Sequence, residues 1–405
     1  MPAIAPTDEA IEAWLAQAAN LERAFDLRDY KLDRIVAFLA HLPRPPAPCT
    51  VTGTKGKGST VRFIEAGLNA AGMPTVAFTS PHIATVRERW RIDGVLADAA
   101  TIAERCTRVA AIEERTGIRL TYFERCFAIA VLLAAERPDC RFLLEVGLGG
   151  RLDCANALDA RLVVLTHLSR DHCAILGDTL EQIAAEKLAL CRPGVTLIVA
   201  PQSVAARRAI LAGRGSHGKG ALITWVRRER ALPFLAMPGQ HQQDNAATAL
   251  AAIAEIEPAL DPALALKAMA EARLAARCQL VTAGERRVLV DGAHNGPSVA
   301  ATVKVAHARL RHPWRLLIGV ANDKEIDEIL DAIPYDLACA RVGYRSPRAR
   351  GRDAWPQRAL AWPWFDDIGA ALAAQPAGAD VCVTGSFYLA GEALGALGAA
   401  GQLPG

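Results

Sequence analysis

The sequence contains no C-x-x-C pair, no apolar run long enough to cross a bilayer, and no excess of either charge. Each absence removes a class of protein. The ten cysteines (Cys49, Cys106, Cys126, Cys140, Cys154, Cys173, Cys191, Cys278, Cys339 and Cys382) are scattered and have no paired histidines nearby. That argues against a zinc site and, in a chain this long, against a disulfide framework. The apolar run 127–135 stops at Glu136 and Arg137, well short of the ~20 residues a membrane helix needs. The amino terminus carries Asp8, Glu9 and Glu12 and lacks the apolar stretch of a signal or transit peptide. A formal net charge of +3 is too small to make nucleic acid the main partner, although a local site can still take anionic small molecules. The expectation is a reduced, soluble, cytoplasmic protein without a membrane or nucleic-acid partner.

What is present describes a foldable chain: 52% hydrophobic and 22% charged residues over 405 positions, too many for one ordinary core. Apolar spacing of three and four predicts helices over 8–25 and 30–41, ended by the rigid connector Pro43-Arg44-Pro45-Pro46. Short apolar runs follow at 49–52, 75–78, 141–144, 161–165 and 196–199, with helical stretches such as 59–71, 98–115, 123–136 and 178–190 between most of them. Strand and helix in alternation predict an α/β fold with a mainly parallel sheet covered on both faces. Such sheets bind ligands beyond the carboxyl ends of their strands. Those ends carry Lys57, Ser80-Pro81-His82, Glu145 and Asp171-His172. A second series at 288–290, 316–318 and 381–383 predicts a smaller α/β domain of about 125 residues. The boundary falls near 275–282, giving domains 1–278 and 279–405. The Ala/Gly-rich last dozen residues should fray.

Gly53-Thr54-Lys55-Gly56-Lys57-Gly58-Ser59-Thr60 follows one predicted strand and opens one predicted helix. Glycines let backbone N–H groups approach phosphate oxygens, and a helix start adds partial positive charge. Lys57 would reach the β and γ phosphates, and the Ser59 hydroxyl could ligate Mg²⁺. The common phosphate loop has Ser or Thr directly after the lysine, whereas Gly58 intervenes here. Alone, a glycine-rich turn with lysines is as easily a surface turn; the strand before it and the helix after it favour nucleotide binding. Mg²⁺ takes few, hard protein oxygens and completes its shell with phosphate and water. Glu145 at a strand end is the natural carboxylate, the alternative being a cap on the glycine-rich turn that follows.

Gly-Thr-x-Gly-Lys-Gly-Ser resembles the phosphate loop of the folylpolyglutamate synthase/dihydrofolate synthase family, within the Mur ligase superfamily. Further blocks follow in family order: Thr79-Ser80-Pro81-His82, Thr121-Tyr122-Phe123-Glu124, Glu145-Val146-Gly147-Leu148-Gly149-Gly150-Arg151-Leu152-Asp153, Asp171-His172, Leu176-Gly177-Asp178-Thr179 and Ala185-Glu186-Lys187. Later come Asp291-Gly292-Ala293-His294-Asn295, Asp323-Lys324 and Thr384-Gly385-Ser386-Phe387-Tyr388-Leu389-Ala390-Gly391-Glu392. The match runs roughly from residue 26 to 392.

The resemblance implies a Mur ligase-like architecture, a phosphate-loop ATPase domain followed by a smaller Rossmann-like α/β domain. It also implies an ATP-dependent carboxylate–amine ligase acting through an acyl phosphate. The substrates would be dihydropteroate or (tetrahydro)folate and L-glutamate, and the enzyme a monomer. ATP would contact Gly53, Thr54, Gly56, Lys57, Gly58, Ser59, Thr60, Asn245, Arg277 and Asp291. Two Mg²⁺ ions would be held by Ser59, Ser80, Glu145 and His172, with K⁺ as a further candidate cation. His172 could instead be a core histidine, being a softer ligand than Mg²⁺ prefers. Lys187 would be carbamylated by CO₂; the plain alternative is a helix-end lysine complementing the dipole. Thr121, Phe123 and Asp153 would hold the pterin, the ring by stacking and the carboxylate by accepting from its donors; Phe123 could equally be core, and Asp153 could cap a turn. Asn245 could be only a helix N-cap. Arg277, Asp291, His294 and Asn295 resemble groups that close over ATP and glutamate, and Ser346-Pro347-Arg348 matches a family segment that reads equally as a solvated turn.

Several positions depart from the pattern. Lys55 stands where the family usually has Asn, Ser169-Arg170 precedes Asp171-His172 where Gly-Leu is usual, and Ala276-Arg277-Cys278-Gln279 replaces Pro-Gly-Arg-Phe/Met-Gln. His294-Asn295-Gly296-Pro297 replaces His-Asn-Pro, and the stretch 200–240 is short. These changes keep a second expectation open, a Mur-like ligase acting on a non-folate acid or another amino acid. A nucleotide-binding module without ligase activity is the third, and it would not need Glu145, His172 and a second domain.

Overall fold

The computed structural model describes residues 3–20, 31–214, 220–228 and 234–399. The chain divides into two compact units, one comprising Met1–Leu235 and Gln240–Ala272 with Gly405, the other Ala236–Gly239 and Arg273–Pro404.

The first unit is built on β1 (Cys49–Thr52), β2 (Thr75–Phe78), β3 (Trp90–Ile92), β4 (Val95–Leu96), β5 (Arg141–Glu145), β6 (Leu162–Leu165), β7 (Thr196–Val199) and β8 (Leu222–Trp225). Their order is β4-β3-β2-β5-β1-β6-β7-β8. β2, β5, β1, β6, β7 and β8 run parallel, and β3 and β4 add an antiparallel edge. Strands buried along their whole length, as β1 and β6 are, read as unbroken apolar or β-branched runs. The parallel register puts the ends of β2, β5, β1 and β6 side by side on one edge.

The helix Tyr122–Ala135 contains the apolar run 127–135, and residues Cys126 to Ala134 are all buried in the main core. Among the described residues, no helix is long and apolar enough to cross a membrane. Trp90 is fully buried in the same core and donates its indole N–H to the Cys126 carbonyl at 2.9 Å; truncating such a ring to alanine costs about 3–5 kcal/mol.

The second unit carries β9 (Gln279–Ala283), β10 (Arg286–Val290), β11 (Arg315–Ile318), β12 (Ala338–Val342), β13 (Trp364–Phe365) and β14 (Val381–Thr384), in the order β13-β12-β11-β14-β10-β9. Only β9 is antiparallel to its neighbour. Its own core gathers Leu289, Val299, Leu316, Ile318, Ile329 and Cys382. Both units are therefore α/β, as the alternation of elements predicts.

The predicted parallel strands fall where expected, whereas β3, β4, β8, β9, β12 and β13 were not anticipated. The first predicted helix is shorter than expected, Asp8–Ala16, capped by the Thr7 hydroxyl, and its expected end at 21–25 lies outside the described residues. So do residues 26–30, where the family resemblance begins, 215–219 and 229–233 within the short stretch 200–240, and 400–405 of the tail.

Candidate active site

β1 ends at Thr52, and the loop 53–56 leads straight into the helix Lys57–Ala70. Two glycines make the turn. Gly53 has φ +142° and Gly56 φ +89°. A Cβ at Gly53 would sit 1.9 Å from the Thr166 hydroxyl, and one at Gly56 2.2 Å from Asn245 Oδ1. The loop is tied to the segment after β6: the Thr54 and Lys55 amides donate to the His167 carbonyl at 2.9 and 3.3 Å, and the Thr54 hydroxyl donates to the Ser169 carbonyl at 2.9 Å. Thr60 is the first loop residue whose N–H is used within the helix, bonding the Gly56 carbonyl at 2.9 Å. The preceding N–H groups belong to the turn of a helix that has no intrahelical acceptor for them.

Two lysines converge on one oxygen of this loop. Lys57 Nζ lies 3.4 Å and Lys187 Nζ 3.1 Å from the Gly53 carbonyl oxygen. Lys187 is buried on the helix Leu180–Leu188. Burial, and next the charge of Lys57, push its amine down to about 7, against the pull of Asp171, Asp153 and Glu186. The glycine-rich turn after β5 packs on that helix: a Cβ at Gly150 would fall 2.6 Å from the Glu186 carbonyl, and the Arg151 amide donates to it at 2.9 Å. Lys55, at the position that departs from the family, bridges to His167; burial first and the Lys55 charge second hold that imidazole below its ordinary range.

On the neighbouring strands, the buried Glu145 carboxylate accepts from the Ser80 amide at 3.1 Å. Asp153 caps the turn that follows β5. Asp153 Oδ2 accepts from the amides of Gly147 and Leu148 at 3.0 and 3.1 Å, and Oδ1 from Ala155 at 3.0 Å. Burial raises this carboxyl to about 6, with the amide donors and Lys57 opposing. Phe123 lies in the same place, since a Cβ on Gly147 would meet its ring at 2.8 Å and Asp153 at 3.2 Å. Its ring is half buried, 5.7 Å from that of Phe78. The Thr121 hydroxyl is engaged in a capping box with Glu124. His172 has φ +51°, and its Nε2 is 4.0 Å from Asp171 Oδ1.

Asn245 corrects one alternative. It sits inside the helix Gln240–Ile256, not at its start, so it is not an N-cap. It is buried, its Nδ2 donates to Gln242 Oε1 at 3.0 Å, and its Oδ1 faces Gly56.

Among the described residues, no group of three or more His, Cys, Asp or Glu side chains could by itself hold a metal ion. Hydroxyls from Ser59 and Ser80 and one carboxylate from Glu145 nevertheless fit Mg²⁺, which takes few protein ligands and fills its shell with phosphate oxygens and water.

In the second unit, Arg277 lies between two non-glycine residues with positive φ, Ala276 (+51°) and Cys278 (+48°). Such conformations cost about 1–3 kcal/mol each and persist where surrounding contacts dictate them. Here Asp291 Oδ2 accepts from the Cys278 amide at 2.7 Å, and the Gly292 amide donates to the Ala276 carbonyl at 3.0 Å. Asp291 Oδ1 accepts from the Ala293 amide at 2.9 Å and the Thr302 hydroxyl at 2.8 Å. His294 Nδ1 is 2.9 Å from the Gly292 carbonyl, and Asn295 caps the helix Gly296–Arg309. Phe387, which motif reading left without a role, is stacked under the Arg277 guanidinium at 4.7 Å and lies 5.4 Å from the His294 ring. Arg348 pairs with Asp323 on the same unit.

No family profile matches the chain. A dihydrofolate synthase/folylpolyglutamate synthase of Escherichia coli strain K12 is 32% identical over 405 aligned residues, covering 93% of each chain. The folylpolyglutamate synthase of Lacticaseibacillus casei is 27% identical over 84% of this chain and 87% of its own. Among solved structures, the E. coli FolC complex with DHPP and ADP superimposes with a TM-score of 0.83 at 29% identity, covering 96% of this chain and 98% of that one. A bifunctional folylpolyglutamate synthase/dihydrofolate synthase with Mn, AMPPNP and L-glutamate bound gives 0.83 at 27% identity, over the same shares. With a phosphate loop at the tip of a parallel sheet, a second α/β unit and this similarity along nearly its whole length, the chain belongs to the dihydrofolate synthase/folylpolyglutamate synthase family of ATP-dependent ligases.

Proposed function

We propose that this chain uses ATP to join L-glutamate to the carboxylate of dihydropteroate, of a (tetrahydro)folate, or of both, through an acyl phosphate. The observation that carries the reading is the convergence of Lys57 and Lys187 on the Gly53 carbonyl, at a helix start beside the strand tip that bears Glu145. The name of the Escherichia coli relative carries both activities, and that of the Lacticaseibacillus casei relative the folylpolyglutamate synthase activity alone.

Carboxylates and amines do not condense in water, because the leaving group is poor. In the proposed sequence a carboxylate oxygen of the acid attacks the γ-phosphorus, and the bond to ADP breaks. The glutamate amine then attacks the acyl carbon, phosphate leaves with the C–O electron pair, and the amine proton passes to phosphate or solvent. The chain supplies positioning and charge neutralisation. Amides of Gly53, Thr54, Gly56, Gly58, Ser59 and Thr60 line the phosphates, Lys57 offsets their charge, and Asn245 holds the loop from behind. Mg²⁺, held by Ser59, Ser80, Glu145 and His172 as two ions, would neutralise charge on the transferring phosphoryl group; K⁺ is a further candidate.

Lys187 is the carbamylation candidate. An amine held near 7 is neutral in a substantial fraction of molecules near neutral pH, and a neutral amine attacks CO₂, forming an N–C bond and releasing a proton. The product is an anion where a buried cation stood. Phe123 offers a ring face and Asp153 a carboxylate to a pterin, with Thr121 beside them. In the second unit, Arg277, Asp291 and His294 form the group that serves ATP and the incoming glutamate. The enzyme acts as a cytoplasmic monomer.

The test is phosphate release from ATP and Mg²⁺ against a matrix of acids and amino acids. Release that requires dihydropteroate or a folate together with glutamate is expected. Release only with other pairs would make the chain a Mur-like paralogue, and none with any pair would overturn the reading.

A further inference from the structure

Phe387 is the first residue of the helix Phe387–Ala396, and Ser386 caps that helix by accepting from the Tyr388 amide at 3.1 Å. The ring is thereby fixed at the carboxyl end of β14, next to β10 and its Asp291-Gly292-Ala293-His294 turn. Three groups meet it. The Arg277 guanidinium carbon is 4.7 Å from its centroid, the His294 ring is 5.4 Å away at 51°, and Gly292 passes so close that a Cβ there would fall 2.2 Å from Cδ1. Glycine at 292 is what lets the ring in.

Asp291 is committed on the other side. Its two oxygens take three donors, the Cys278 and Ala293 amides and the Thr302 hydroxyl, and the carboxylate is only 8% exposed. The Cys278 bond holds one flank of Arg277, and the Ala293 bond holds the residue before His294.

We infer that Phe387 is a positioning residue whose ring sets the spacing of Arg277 and His294, and that Asp291 is the bracket that fixes both turns. The inference rests on the proposed role of Arg277 toward ATP. A flexible arginine pays rotamer entropy each time it meets an anion, and an aromatic face that pre-orders it removes part of that cost. Leucine fills similar space without a π face, whereas tyrosine keeps the face.

Binding of ATP·Mg²⁺ to the full chain, measured by calorimetry, tests this without knowledge of the acid or amino acid. Phe387→Leu should weaken binding about tenfold while the melting temperature stays near wild type, and Phe387→Tyr should restore it to within about threefold. A second readout follows the His294 ring protons by NMR, whose ring-current shift from Phe387 should vanish in Phe387→Leu. In Asp291→Asn that shift should change together with the affinity. Wild-type affinity in Phe387→Leu, or an unmoved His294 signal in Asp291→Asn, overturns the inference. A chain that binds ATP·Mg²⁺ but turns over no acid and amino acid pair would overturn the proposed function alone.

Discussion

The Lys187 ammonium donates to the Gly53 carbonyl oxygen at 3.1 Å, the same oxygen that Lys57 reaches at 3.4 Å. Burial first, and the neighbouring Lys57 charge second, push the Lys187 amine down to about 7. The unfolded chain holds that proton up to the ordinary lysine range, so between pH 7 and about 10.5 the unfolded state binds more protons and stability rises with pH. Below pH 7 both states are protonated and the cost of burying the charge is fully present. Lys187→Met should therefore raise the unfolding free energy most at pH 6 in CO₂-free buffer, by about 1–3 kcal/mol, and the gain should shrink toward pH 10. A gain that grows with pH would contradict the assignment.

The same lysine gives a chemical prediction. With ¹³C-bicarbonate present, the wild-type chain should show a carbamate carbon by NMR that Lys187→Arg lacks, because the arginine stays protonated. Ligase turnover should vanish with the signal. Full turnover in the arginine variant would refute the carbamate.

Lys57→Ala removes a partly buried side chain at the mouth of the loop, so the fold should persist while product formation falls by about 10²-fold or more. Since the Lys57 charge lowers the Lys187 pKa, that pKa should also move upward in the variant, read as weaker carbamate formation at pH 7. Normal turnover would remove Lys57 from the chemistry.

Much of this was legible in the sequence. Each parallel strand of the first unit from β1 to β7 announces itself as a short apolar run, because both faces are covered. The edge strands were hidden for the opposite reason: β3 reads Trp-Arg-Ile, and its buried Arg91 is made tolerable by an ion pair with Glu65 at 2.7 Å that no local pattern reveals. Asp93-Gly94 between β3 and β4 was the available hairpin signal. Thr121 and Glu124 likewise carried the Thr-x-x-Glu spacing of a capping box. Asn245 was misplaced at a helix start because Gln240-His241-Gln242-Gln243 lacks apolar period, although those residues begin the helix. Phe387 was passed over since its partners, Arg277 and His294, lie about 110 and 93 residues away in sequence.

Glu145→Gln tests the metal assignment. The amide oxygen can still accept from the Ser80 N–H, as the carboxylate does at 3.1 Å, so the strand tips should hold their geometry. The charge that Mg²⁺ prefers is lost. The Mg²⁺ concentration for half-maximal activity should rise about tenfold or more, with partial recovery at high Mg²⁺, and chelation should silence the wild type. An unchanged Mg²⁺ titration would take Glu145 out of the site.

Gly56 and Asn245 offer a test that needs no substrate. Alanine at 56 carries two penalties, a backbone at φ +89° and a Cβ 2.2 Å from Asn245 Oδ1. Together they should destabilise the first unit by about 1–3 kcal/mol and disorder the loop enough to weaken ATP binding. Asn245→Ala removes the clash and leaves the backbone penalty. The double variant should therefore be about 1 kcal/mol more stable than the sum of the two single effects. Additive effects would mean that the helix Gln240–Ile256 does not hold the loop, and the nucleotide role of Asn245 would lose its geometric basis.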